Sequence, residues 1–228
     1  MKANNHIGTL REKSLHASLK DWYKQSGDLL ETEVDGYMVD ILRGETLIEF
    51  QTKNFSSIKP KLEALTQSHP VYLVHPIAKT KWIVRVDTAG KELSRRRSPK
   101  RGKLVDIFSE LVYIPKVCRE KNFTFEAVLI EAEEIWQDDG KGSWRRKGWS
   151  IADRHLVRVI SRQRFRSPSD YANLFPDALP DEFSNVDVAN LLKIRPRLAQ
   201  KMTYTLRAMG TIEFLRKNGR ANLYARAT

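Results

Sequence analysis

The stretch from Tyr37 to Lys53 leaves this chain little choice of local structure. Tyr37, Val39 and Ile41 alternate with Met38, Asp40 and Leu42, Gly44 supplies a tight turn, and Leu47 begins a second alternating run. A side-chain period of two is the signature of strands. It predicts a hairpin whose second strand, Thr46–Lys53, projects Glu49, Gln51 and Lys53 from one face. Asp40 joins them if the register places it opposite. The flanking Val39, Leu42, Ile48 and Phe50 are apolar, which points to a strand covered on both sides. Acids and a lysine there are costly unless paired or bound to a metal. The plain alternative is a solvated polar face, the default for a half-buried strand.

The order of elements around the hairpin extends the reading. A helix is expected over 10–25, strands over 29–34, 37–42 and 46–53, a helix over 55–66, and strands over 71–74 and 82–86. Over residues 7–90 this order, with Asp40 and the Glu49-x-Gln51-x-Lys53 spacing, resembles the PD-(D/E)xK nuclease superfamily, the restriction-endonuclease-like fold. The resemblance implies Mg²⁺ or Mn²⁺ held by Asp40 and Glu49, with Lys53 as the catalytic lysine. The family usually has Asp or Glu two residues before the lysine, and this chain has Gln51 there. Either Glu49 takes over, with Gln51 adding an uncharged oxygen ligand, or the site is degenerate. Family members often place a glutamate of the first helix at the metal's edge, and Glu12 matches. Glu12 equally fits a capping box with Thr9, folding back on the Thr9 amide.

Charge is distributed unevenly. The net charge is +12. Residues 1–90 carry 12 Lys/Arg against 11 Asp/Glu, whereas residues 91–228 carry 28 against 17. The densest run, Arg95-Arg96-Arg97 to Lys103, contains Pro99 and Gly102 and reads as a mobile loop. A second cluster holds Arg145, Arg146 and Lys147 between Trp144 and Trp149, and a third holds Arg158, Arg162, Arg164 and Arg166. Such clusters are the electrostatic footprint of nucleic-acid binding. The two tryptophans either stack on exposed bases or anchor a solvated loop, and the second reading is preferred.

The C-terminal part is sharply punctuated. Ser167-Pro168 starts a helix, Ser184 or Asn185 caps another, and Pro196 opens a third that ends at Gly210. Leu198, Met202, Leu206 and Met209 mark that helix's buried face. Residues 212–226 alternate around Asn218-Gly219, the strongest short hairpin signal because a type I′ turn needs positive φ at both central positions. Helix, helix, turn, helix and two-stranded wing resemble a winged helix-turn-helix domain over 167–228. The resemblance implies that helix 196–209 enters a DNA groove. Arg195, Arg197, Gln200, Lys201 and Tyr204 would touch DNA there, and Arg216, Lys217 and Arg220 would do so on the wing.

The fold class expected is therefore α/β (α+β). A central mixed sheet flanked by helices occupies 1–90, a basic linking segment 91–166 either extends that sheet or forms a separate layer, and a winged helix follows at 167–228. One cysteine, Cys118, excludes an internal disulfide framework, and the five histidines show no metal-binding spacing. No apolar run approaches membrane-spanning length and the first residues lack a signal-peptide core. A cytoplasmic protein without membrane contact is expected. Two functions fit: a metal-dependent DNA endonuclease, or a nuclease-fold DNA-binding regulator without chemistry. One nuclease site cuts one strand, so double-strand cutting would call for a homodimer.

Overall fold

The computed structural model describes residues 10–227, with side chains from Ser14 onward. Strands β1 (Leu29–Val34), β2 (Tyr37–Arg43), β3 (Thr46–Phe50), β4 (Val71–Val86), β5 (Glu92–Arg97), β6 (Phe123–Gln137) and β7 (Ser150–Phe165) form one mixed sheet. Its order is β1-β2-β3-β4-β6-β7, with β5 paired to β4. β1, β2 and β3 are antiparallel neighbours, whereas β3 and β4 run parallel and are joined through helix α2 (Phe55–Leu65). A parallel pair needs such a crossover, because no short turn can reverse the chain twice. The two hairpin turns differ in chemistry. Asp35 and Gly36 both have positive φ, the type I′ pattern, whereas only Gly44 does so in the Gly44-Glu45 turn, the type II′ pattern.

Chain contacts divide the protein into two units that interleave along the sequence. One, the hairpin unit, comprises 29–75, 104–127 and 163–228. Its core joins Val39, Ile41, Leu47, Phe50, Leu62 and Leu73 to a run of rings, Phe55, His75, Phe125, Phe165 and Tyr171. Helices α3 (Phe108–Leu111) and α4 (Pro168–Ala172) belong to it. So do β8 (Phe183–Ser184), α5 (Asn185–Leu192), α6 (Pro196–Met209), β9 (Ile212–Asn218) and β10 (Ala221–Arg226), whose strands form a second sheet in the order β8-β10-β9. The other, the arginine-rich unit, comprises 1–28, 76–103 and 128–162. It contains α1 (Leu10–Tyr23), β5, and the remaining lengths of β4, β6 and β7. The Ser14 hydroxyl donates to Asp153 at 2.6 Å, fixing α1 to β7. No helix among the described residues is long and apolar enough to cross a membrane.

Several local expectations are corrected. β3 ends at Phe50, short of the expected Lys53, because Asn54 takes a left-handed φ of 62° and α2 starts at once. The strands expected at 71–74 and 82–86 are one strand, β4. Within the linking segment, a 3-10 turn at Leu104–Ile107 leads into α3. The run beginning at Arg95, read as a mobile loop, opens in strand β5 with Trp82 opposite Arg97 and Val84 opposite Arg95. At the C-terminus, Asn218 pairs with Ala221, so the turn is Gly219-Arg220. Gly219 alone has positive φ, the type II′ pattern rather than I′.

Candidate active site and basic surfaces

Asp40 and Glu49 meet because β2 and β3 pair with Ile41 opposite Ile48. The Asp40 carboxylate accepts the Phe50 N–H at 2.9 Å, which holds it across the end of β3. Glu49 is buried at 7% exposure. Burial pushes its carboxyl above the ordinary value of 4.5; Lys61 pulls it back and the neighbouring Asp40 charge adds to the rise. Lys61 reaches down from α2, with Nζ 2.5 Å from Glu49 Oε1 and donating also to the Met38 carbonyl. Two acids and one lysine thus share a site covered by a helix.

The Gln51 side chain is engaged outside that cluster. The Gln51 N–H continues the parallel ladder to the Val74 carbonyl at 2.9 Å, but its side-chain amide donates back to the Lys53 carbonyl at 2.6 Å. Lys53 lies in the bend after β3 and is exposed. The lysine paired with Glu49 is Lys61, which the sequence reading did not name. The bend is pinned on both sides: His75 Nδ1 donates to the Gln51 carbonyl at 2.7 Å and the Phe55 N–H donates to Glu110 at 3.0 Å. Burial pushes His75 downward, so it serves as a neutral donor. Among the described residues, no three His, Cys, Asp or Glu side chains converge as a metal-ligand group. The Glu12 side chain lies outside the described residues.

On α6 the exposed stripe is Arg197, Gln200, Tyr204 and Arg207, at i, i+3, i+7 and i+10. Arg207 belongs to it and the sequence reading missed it, although the same spacing would have found it. Lys201 is turned inward: its Nζ donates to the Ser109 carbonyl at 2.8 Å and lies over the Tyr113 ring. That corrects its placement on the groove-facing side. Arg195 is exposed at the N-cap of α6. Arg220, at the tip of the β9–β10 turn, lines a groove of about 540 Å³ with Ser184, Asn185, Gln200 and Asn222. Lys217 is exposed on β9, while Arg216 pairs with Glu182.

The arginine-rich unit carries most of the charge. It holds 22 Lys/Arg against 11 Asp/Glu, a net of +11, and leaves the hairpin unit at +1. Much of the arginine is spoken for. Arg95 binds Glu133 at 2.8 Å and covers the Trp82 ring at 4.1 Å, and Arg97 donates to Thr80 Oγ1 at 3.1 Å. Arg96 is exposed on the opposite face of β5. Arg146 donates to the Trp149 carbonyl at 3.1 Å, whereas Arg145 and Lys147 are exposed. Beneath them, Glu134 is buried among Lys81, Arg154 and the Trp136 indole. Burial alone would raise its carboxyl, but the indole and the two cations outweigh it and hold the group below 4.5.

A family model described as a domain of unknown function (DUF8091) matches residues 13–166. The chain belongs to the DUF8091 family. An uncharacterized protein of Treponema pallidum (strain Nichols) is 31% identical over 221 residues, covering 96% of this chain and 84% of that relative. No solved structure matches. The DUF8091 segment contains Asp40, Glu49 and Lys61 and ends beside Ser167, the residue that caps α4. The α5–α6 pair and the β9–β10 hairpin lie beyond it.

Proposed function

We propose that this DUF8091 protein is a metal-dependent DNA endonuclease, built on a restriction-endonuclease-like sheet with a C-terminal winged helix that holds the DNA. The observation that carries the reading is the convergence of Asp40, Glu49 and Lys61 at the β2–β3 hairpin. Two neighbouring carboxylates, with the Asp40 charge raising Glu49's proton affinity, fit a divalent cation, and Mg²⁺ is commonly held by one or two carboxylates with water and substrate phosphate completing the shell. When bound, the cation would activate water and stabilise charge on the phosphate. Lys61 pairs with Glu49 and would offer an ammonium to the phosphate with Glu49 holding the cation. The α6 stripe and Arg220 supply phosphate and base contacts for positioning.

A second reading, DNA binding without chemistry, is favoured by the Gln51 side chain, which faces the Lys53 carbonyl and gives the pair no third ligand. Incubation of supercoiled plasmid with Mg²⁺, Mn²⁺ or EDTA separates the two. The nuclease reading expects metal-dependent nicking that is lost in Asp40→Asn. Plasmid left intact in every metal but still retarded in a gel would overturn it and favour the second.

A further inference from the structure

All five tryptophans of the chain lie in the arginine-rich unit, and each has an arginine within 6.0 Å of its ring. Four of them have packing or hydrogen-bond partners, although Trp22 stays 47% exposed. Trp82 donates to Glu131 at 2.7 Å under Arg95, Trp136 donates to Glu134 at 2.9 Å, Trp149 lies under Arg85, and Trp22 packs edge-on against Tyr23. Trp144 is different. Its ring is 82% exposed, with Arg145 beside it at 5.4 Å. The sequence reading preferred an anchoring role for this residue, and its exposure overturns that.

The loop that displays Trp144 is closed at its base. The Gly142 N–H donates to the Gly148 carbonyl at 2.8 Å. Asp139 accepts the Lys141 N–H at 3.0 Å and the Ser150 hydroxyl at 2.8 Å. A Cβ on Gly142 would stand 1.8 Å from the Trp149 carbonyl oxygen, so only glycine permits the closure. A large apolar ring held outward on such a loop leaves its face to water, which burial against a flat partner would relieve. The net of +11 on this unit selects a polyanion as that partner. A ring face can stack only on a base that is itself unstacked.

We infer that loop 138–149 binds single-stranded DNA, with Trp144 stacking on an unpaired base and Arg145 and Lys147 meeting the adjoining phosphates. This rests on the DNA reading above and narrows its substrate to DNA with an unpaired segment, such as an end, flap or gap.

The test is fluorescence anisotropy of labelled oligothymidylate and of a duplex of equal length, titrated with the full-length protein in EDTA. Trp144→Ala should weaken single-strand binding by roughly 5- to 150-fold, the range for losing one base–aromatic stack, and leave duplex binding nearly unchanged. Trp144→Phe should restore most of the loss, and circular dichroism should show both variants folded. An unchanged single-strand affinity in Trp144→Ala, or an equal loss on both DNA forms, would overturn the inference. So would binding of the wild type to anionic phospholipid vesicles but not to oligothymidylate. Because no metal is present, failure here leaves the nicking result standing, and an absence of nicking leaves this result standing.

Discussion

Replacing Lys61 by methionine keeps the length of the side chain and removes its charge, leaving Glu49 buried beside Asp40 with no cation. Glu49 and Lys61 expose only 9% and 18% of their side chains. Breaking a pair this deep costs about 3–5 kcal/mol, because the abandoned charge stays in low dielectric. The partial exposure of Lys61 favours the lower end. At about 3 kcal/mol, and roughly 2–4 °C per kcal/mol for a chain of this size, Tm at neutral pH should fall by about 6–12 °C. The pH dependence identifies the cause. Burial already raises Glu49 above 4.5, and Lys61 is the group that lowers it. A raised acid favours folding fully below its unfolded value and loses that contribution as pH rises through its folded value. In Lys61→Met the folded value rises further, so the gap to wild type should be small near pH 4, open as pH rises, and level off above the variant's Glu49 value. Lys61→Met combined with Glu49→Gln should recover most of the loss, since a neutral pair of similar volume is nearly equivalent in stability. Urea denaturation across this pH range is the assay. A gap of equal size at acid and neutral pH would refute the argument and reduce Lys61 to packing along its stem.

Three further variants lie in the C-terminal segment. Lys201→Ala should cost about 1 kcal/mol in thermal melting through the lost Ser109 hydrogen bond and leave plasmid retardation intact. Arg197→Ala should do the reverse and lower the salt slope of DNA binding by about one; a loss of retardation in Lys201→Ala would contradict its inward placement. Ser184→Ala should cost about 1 kcal/mol by removing the N-cap of α5. Ser184 donates to Asp187 through its N–H and hydroxyl, both at 2.7 Å, which holds Asp187 below 3.8. Part of that stabilisation is present above pH 3.8 and is lost as pH falls through the lowered value. The Ser184→Ala melting gap should therefore narrow in strong acid, and a constant gap would assign the whole effect to the cap.

The β1–β3 meander, the crossover through α2 and the α5–α6–β9–β10 segment were legible in the sequence because each carries a clean period and strong punctuation. The lysine paired with Glu49 was not. Extrapolating a period of two past Phe50 placed Lys53 on the Glu49 face, but the left-handed Asn54 ends the strand first. Lys61 sits three residues after Ile58 and beside the buried Leu62, so helical spacing puts it toward the sheet. Its charge disguised it as a surface residue. The arginine run of β5 misled in the opposite way. Consecutive cations beside Pro99 read as a loop, yet Arg95 and Arg97 are strand residues because Glu133 and Thr80 receive them. Those partners stand far away in sequence, where no local pattern reports them. At Asn218-Gly219 the dipeptide was right about a hairpin and wrong about its centre, since the Asn218–Ala221 pairing moves the turn one residue on.

The separation of charge bears on how the proposed reaction would work. A phosphodiester nearing Asp40 and Glu49 meets two carboxylates and one lysine in a unit of net +1, so the site itself repels the substrate until a cation is bound. Affinity for DNA then has to come from elsewhere: the α6 stripe, and the arginine-rich unit with its net of +11. Binding and chemistry would respond to different variables under this reading. Rising salt should strip DNA from the cationic surfaces through counterion competition. Falling pH should instead weaken the metal's hold, because a cation must displace the proton from Glu49 once pH drops below its raised value. A protein whose DNA affinity and nicking rate declined together along both axes would not have this division of labour.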